Sequence, residues 1–204
     1  MLDITAYTQT PFRVLYLVRH GQYQRTFMPP ETPDGPLTEL GAAQAELTGR
    51  RLARLPIAVI HHSTLIRARQ TAEIISQYLP GVEMRPSPLL RECLPTVPNT
   101  YIPYLEGASP ADFAQGDRQA REVFRKWFRP PAVDANETTR EIVVSSGNLI
   151  SYLIARTLGA TGKQWVATSI QHCGVSEVAL GGPRKSLLLR HSDTGHLPPY
   201  LQTI

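Results

Sequence analysis

The stretch VLYLVRHGQYQR, Val14–Arg25, opens with five apolar residues, Val14 to Val18, and stops at Arg19-His20-Gly21. β-Branched and aromatic residues in an unbroken run read as a strand buried on both faces, and such strands lie in sheets covered by helices. In sheets of that kind, ligands bind beyond the carboxyl ends of the strands. Three residue types meet at this end. A glycine lets a ligand approach the backbone, an arginine offers a planar fork matched to phosphate oxygens, and a histidine can act as a nucleophile. On the tripeptide alone two readings stand side by side: a turn that handles phosphate, or two polar residues capping a strand at the surface.

Working outward, the Pro- and Gly-rich loop FMPPETPDGP (27–36) leads to Thr38, an N-cap for a helix with Leu40, Ala43 and Leu47 on one side. Ile57–Ile60 reads as a strand. Leu65, Ala68, Ala72, Ile75 and Leu79 then recur at helical spacing until Pro80-Gly81. A short strand is expected near Val82–Arg85, followed by a proline-rich loop or cap over 86–107. Ser109-Pro110-Ala111-Asp112 has the form of a capped helix start, with Phe113, Ala120, Val123, Phe124 and Trp127 on the buried side. Arg140–Ser146 predicts a strand, and the residues after it a helix closed by Gly159. Two final strands, near Ile170–Leu180 and Ser186–Arg190, join through Gly181-Gly182-Pro183. Strands alternating with helices predict a three-layer α/β sandwich with a mostly parallel central sheet, as one domain over 1–204 with a cap or loop region around 86–130.

Composition narrows the classes. With 42% apolar and 19% charged residues, the chain is neither disordered nor membrane-like in make-up, and no apolar run approaches the roughly 20 residues that a bilayer requires. The first residues, MLDITAYTQTPF, lack a basic head followed by an apolar stretch, so a cytoplasmic location is expected. Cys93 and Cys173 have no C-x-x-C spacing and read as reduced thiols. The net charge of +4 contains no block of like charge, and the scattered arginines read as solvated helix faces. Neither a nucleic acid nor a membrane is expected as partner; a small anion suits the balance better.

Two further strand ends bear on the opening question. Arg67 lies in the first turn or two of the Leu65 helix, where the dipole disfavours a side-chain cation, so an arginine there serves an anion better than it serves the helix. Glu92, just past Leu89-Leu90, reads either as a proton donor to a shared pocket or as a solvated loop carboxylate. Ser146 sits on a strand-to-helix turn, but the glycines that a nucleophile elbow needs are replaced by Val144 and Asn148. His20, His61, His62 and Glu92 have no zinc-ligand spacing. His61 and His62 read as exposed or supporting residues, and His191 and His196 as part of the packing near the C-terminus.

Four segments, LVRHG, HSTLIRARQTA, LLRE and SSGNLI, come in the order and approximate spacing of the histidine phosphatase superfamily, the phosphoglycerate mutase-like proteins, and the chain resembles that family over nearly its whole length. LTELGAAQAELTGRRLA, IISQYLPGV and DTGHLPP further resemble a branch of protein phosphatases within it. The resemblance implies a covalent mechanism with no cofactor and no metal: His20 as nucleophile, Arg19 and Arg67 on the phosphoryl oxygens, and Glu92 as proton donor. It also implies a phosphorylated substrate, small molecule or protein, in a pocket that phosphate or sulfate would fill. Gly21, Gln22, Tyr23, Gly147 and His172 are the expected substrate-binding residues, with the Cys93–Tyr104 loop as wall. Self-association into a homo-oligomer is left open.

The chain departs from the family pattern most plainly at the strand-to-helix turn. Where relatives carry a second histidine at the strand-to-helix turn, this sequence has Ser146, which donates a hydrogen bond but brings no charge. Losing such a donor to the transition state costs ~3 kcal/mol. The expected function is therefore a phosphatase weakened at this position, with a phosphate-binding protein that has lost turnover as the alternative. His172 stands where relatives usually have asparagine, and a histidine there either compensates or bonds nearby backbone. Gln22-Tyr23, and Thr26 in place of an asparagine, depart from the mutase pattern and favour phosphatase over mutase.

Overall fold

The computed structural model describes residues 11–25, 34–181 and 186–204. Thr26, most of the loop before Thr38 and the Gly182-Pro183 turn lie outside the described residues.

Ten regular elements carry the fold: β1 (Arg13–Arg19), α1 (Glu39–Leu52), β2 (Val59–Ser63), α2 (Ile66–Ser76), β3 (Glu83–Ser87), α3 (Pro110–Trp127), β4 (Thr139–Ser145), α4 (Gly147–Thr157), β5 (Val175–Leu180) and β6 (Ser186–Asp193). They form one six-stranded sheet in the order β3-β2-β4-β1-β5-β6. The first four strands in that order are mutually parallel, while β5 pairs antiparallel with β1, and β6 antiparallel with β5. The expected α/β sandwich is thus a mixed sheet between helices.

The alternation in β1 explains the layers. Leu15 and Leu17 face one side with Val143 and the apolar residues of α3 and α4, among them Val123, Trp127, Leu149 and Leu153. Val14, Tyr16 and Val18 face the other with Ile60, Ile142, Val144 and the apolar residues of α1 and α2, including Leu52, Ala68, Ala72 and Ile75. Successive side chains of a strand point to opposite faces, so an all-apolar run requires cover on both.

Local signals set the helix starts. The Thr38 hydroxyl accepts the Gly41 N–H, and Ser109 and Asp112 form a complete capping box at α3, with Pro110 in its first turn. Gly159, at φ +80°, follows α4. The structure differs from expectation at several points. β2 begins two residues later than the apolar run that signals it. β5 begins only at Val175, because Gly174 N–H bonds Gln171 O in a turn whose Cys173 has φ +54°. α1 buries Gly41, Gln44, Ala45, Thr48, Gly49 and Leu52, leaving Leu40, Ala43 and Leu47 half-buried. Its inner face is chosen by small residues that let backbones touch, a preference that hydropathy does not register.

Candidate active site

The carboxyl ends of β1, β2, β3 and β4 point the same way, and the chain leaving each one carries a polar group into a common cavity of about 470 Å3. Its inner part is lined by Arg19, His20, Arg67 and Glu92, and its outer part by Tyr23, Cys93, Leu94 and Leu105. Helix α3 closes one side with Gln115, Gly116 and Gln119.

His20 follows β1, and its N–H donates to Ser145 O of β4 at 2.9 Å, so the two strands end together. The imidazole is buried, with Nδ1 2.9 Å from Gly21 O. A carbonyl only accepts, which places the proton on Nδ1 and the lone pair on Nε2. Burial first, then the cations Arg67 and Arg19, hold the imidazole pKa well below its ordinary value. The ring is therefore neutral at neutral pH. Tyr23 meets it edge-on at 5.1 Å between centroids.

Arg67 is 2% exposed in the first turn of α2. Its Nη1 lies 3.0 Å from Asp34 Oδ1, its Nη2 3.4 Å from Ser146 Oγ, and its guanidinium 4.6 Å from the Tyr23 ring centroid. Asp34 also accepts the Ile66 N–H at 2.8 Å, so one carboxylate caps α2 and orients the arginine. Sequence reasoning missed Asp34; nothing in its proline-rich loop signals the pairing. Arg19 donates through Nη1 to Ile170 O, and its Nε is buried with no hydrogen-bond partner among the described residues. Burial lowers its pKa, with the Glu92 charge acting in the opposite sense.

Glu92 lies beside the amino end of α4. Its carboxylate accepts the N–H groups of Cys93 (3.2 Å), Leu149 (3.3 Å) and Asn148 (3.4 Å). Burial raises its pKa above the ordinary value, against the opposing pull of Arg67, the two α4 amides and Arg19. Ser146 is fully buried at the N-cap position of α4 but makes no cap bond there; its hydroxyl faces Arg67 instead.

The structure brings Arg19, His20, Arg67, Glu92 and Ser146 together, with Tyr23 on the wall. The other expected substrate-binding residues do different work. Gly21 donates to Thr71 Oγ1 and abuts the Gly41 backbone, so its missing side chain admits helix α1 and not a ligand. Gln22 turns away: its N–H donates to Gln44 Oε1 and its Oε1 accepts from Thr38 Oγ1. At Gly147 an added side-chain carbon would lie 3.5 Å from Arg19 Nε, ordinary contact, so no close approach requires glycine there. His172 is absent from the cavity lining; its ring stands 5.6 Å from that of His20, and Nδ1 bonds Thr203 Oγ1 at 2.9 Å. Burial pushes its pKa down to about 3, which keeps it uncharged. Of the expected wall at 93–104, Cys93 and Leu94 line the cavity, and α3 adds Gln115 and Gln119, which the sequence reading did not single out.

The remaining histidines are engaged away from this cavity. His61 bonds Glu141, buried His62 bonds Ser63 O through Nδ1 at 2.9 Å, His191 bonds Ser176, and His196 contacts Thr48 and Arg51. Among the described residues no group of three or more His, Cys, Asp or Glu side chains is placed to hold a metal ion.

A buried arginine and a half-buried one, a neutral imidazole with an available lone pair and a carboxyl of raised pKa, gathered at the strand ends of an α/β sheet, form a pocket whose chemistry suits a phosphoryl group. The profile of the histidine phosphatase superfamily (branch 1) matches residues 15–97. The chain is 32% identical over 189 residues to the mouse (Mus musculus) protein named serine/threonine-protein phosphatase PGAM5, mitochondrial, covering 92% of this chain and 65% of that one. For the counterpart from Xenopus laevis the identity is 32% over 192 residues, with 91% and 67% covered. The chain belongs to the histidine phosphatase superfamily.

Two solved structures share the fold. A phosphoglycerate mutase from Plasmodium falciparum superposes with a TM-score of 0.63 at 24% identity, covering 93% of this chain and 96% of that one. The alpha-ribazole phosphatase from Shigella flexneri gives 0.68 at 17%, covering 88% and 96%. The chain spans just under two thirds of the length of the mouse relative. The expected cytoplasmic location is corrected by the same comparison, since these curated relatives are mitochondrial by name. The composition of the first residues carried that expectation, and the lack of a leader pattern is no positive signal. No helix among the described residues is long and apolar enough to cross a membrane.

Proposed function

We propose that the protein hydrolyses phosphomonoesters through a phosphohistidine formed on His20, without a metal. His20 Nε2 attacks phosphorus while the bond from phosphorus to the ester oxygen breaks, and Glu92 gives its proton to the departing oxygen. Water then attacks the phosphohistidine, Glu92 takes the proton of that water, and the N–P bond breaks to release phosphate and restore the imidazole. Arg19 and Arg67 carry the charge on the equatorial oxygens. Phosphoryl transfer asks a protein mainly for positioning and for such charge stabilisation. One observation carries this reading: the Nδ1–H of His20 is held by Gly21 O, which frees Nε2 in a cavity that also holds Arg19, Arg67 and Glu92.

The names of the relatives support a phosphoprotein substrate, and the departures from the mutase pattern at Gln22, Tyr23 and Thr26 support hydrolysis over phosphate transfer between positions of a sugar acid. A second reading rests on Ser146. The hydroxyl opposite Arg67 is short and uncharged where relatives have imidazole, which favours slow turnover or phosphate binding without turnover.

The test is a comparison of the native chain with His20→Ala and Ser146→His on an aryl phosphate, with acid-labile phosphate labelling of the native protein and of Ser146→His. Turnover and labelling that vanish in His20→Ala support hydrolysis. A native chain that binds phosphate but gains turnover only as Ser146→His supports the second reading. Turnover that survives His20→Ala overturns both.

A further inference from the structure

Helix α3 presents two polar faces. Gln115, Gly116 and Gln119 meet the cavity described above, and around the helix from them Arg118, Arg121 and Arg125 recur at spacings of three and four. These arginines share a separate surface groove of about 560 Å3 with Glu122 and Phe124 of the same helix and Arg156 of α4. Arginines that are scattered in the sequence thus converge in space.

Ordinary structural roles account for only some of them. Arg121 pairs with Asp117 at 2.7 Å. Arg125 lies in the last turn of α3, where cations suit the helix dipole. Arg118 lies well inside the helix, and among the described residues neither Arg118, Arg125 nor Arg156 forms an ion pair with a carboxylate. Arg156 is held ready: its guanidinium stands 5.1 Å from the Phe124 ring centroid and 5.9 Å from that of Tyr152, and Nη1 donates to Tyr152 Oη at 3.2 Å. An oriented guanidinium loses less freedom on meeting a carboxylate than a free one does.

We infer that this groove docks an acidic polypeptide segment, with carboxylates on Arg118, Arg125 and Arg156 and an apolar side chain against Phe124. Charge complementarity selects an anion, and the shape selects its form. A bilayer surface cannot follow a concave groove. A nucleic-acid backbone would run an unbroken row of phosphates past Glu122, whereas a polypeptide can step an uncharged residue past it. This inference does not rest on the phosphatase reading, because it is tested by binding without turnover.

The probe is a fluorescein-labelled peptide of glutamates interrupted by single serine and leucine residues, titrated with the full chain and followed by fluorescence anisotropy. Saturable binding is expected, weakened about tenfold or more in Arg118→Glu/Arg125→Glu and less, but in the same direction, in Arg118→Gln/Arg125→Gln and in Arg156→Gln. Added salt weakens it further, since these charges are exposed. Circular dichroism establishes that each variant is folded. The inference is overturned if the native chain does not bind the peptide or if the folded variants bind it as well as the native chain does. It is equally overturned if phosphatidylserine vesicles or a single-stranded oligonucleotide bind through these same arginines more tightly than the peptide.

Discussion

Gly21 and Gly41 meet backbone to backbone: a side-chain carbon on Gly21 would lie 2.5 Å from the carbonyl oxygen of Gly41, and one on Gly41 would lie 1.9 Å from the carbonyl oxygen of Gln22. Helix α1 therefore presses directly on the segment that holds His20. Replacing a helical glycine by alanine ordinarily gains up to about 1 kcal/mol. Here the added carbon enters backbone that cannot move without moving the imidazole, and overpacking of this kind costs about 1–3 kcal/mol. Gly41→Ala is expected to lower the denaturation midpoint and to reduce turnover. Unchanged stability and activity would mean that α1 slides freely against this segment.

Ser146→His is expected to raise turnover of an aryl phosphate by about 100-fold or more, from the size of a single transition-state donor. The gain should appear in kcat more than in KM, because a donor matched to developing charge acts chiefly in the transition state. Steady-state kinetics on the purified variant decide it. An equal or slower variant removes Ser146 as the cause of weakness.

Glu92→Gln separates leaving groups. Alkyl phosphates, whose alkoxide needs a proton, should lose about 100-fold or more, while an aryl phosphate with an acidic phenol loses far less. The pH dependence has the same origin. Burial raises the Glu92 pKa, so the proton is retained further up the pH scale than on a solvated glutamate and is lost as pH rises through that raised value. Alkyl phosphate turnover should fall on this alkaline side before aryl turnover does. On the acid side, the depressed pKa of His20 keeps the imidazole unprotonated below 6.5, so no decline is expected at the ordinary histidine value. Equal effects of Glu92→Gln on both substrates would contradict the role of proton donor.

Stability should fall on acidification from pH 6.5 downward. His172, at about 3, and His196, at about 4, stay neutral in the fold while the unfolded chain takes up their protons near 6.5. The unfolded state thus binds more protons in that window, and each group lost costs stability as pH falls. Glu141, held at about 2 against its burial by hydrogen bonds from His61 and Arg13, adds a further loss between its ordinary 4.5 and 2. His172→Asn should flatten the slope of unfolding free energy between pH 6 and pH 4 by up to about 1.4 kcal/mol per unit. Denaturant titrations across this range measure it, and a slope identical to that of the native chain would show that His172 is charged in the fold.

Apolar periodicity and caps made most of the layers legible in advance. Val14–Val18 required helices on both sides, and Ser109 with Asp112 marked the start of α3. The convergence of Arg19, Arg67, Glu92 and Ser146 was readable only through the family resemblance, because no periodicity tells which strand ends lie together. Other features left no trace. The inner face of α1 is built from Gly41 and Gly49, whose contribution is closeness and not hydrophobicity. Gln115 and Gln119 carry no local signal of a site; they join it because the loop carrying Leu94 packs beside α3, a contact that Gly116 permits. Asp34 acts on Arg67 across a distance in sequence that local rules do not span.

The place of β4 in the sheet bears on how the molecule comes into being. It is the last of the parallel strands to be synthesised, yet it inserts between β2 and β1 and brings Ser145 to His20 N–H and Ser146 to Arg67. A nascent chain that has made β1 to β3 and the loop through Glu92 owns the imidazole, both guanidinium groups and the carboxyl, but no scaffold that aligns them. Catalytic competence during refolding should then lag behind early helix signals and keep time with insertion of this central strand, which makes turnover a clock for the slowest long-range pairing in the sheet.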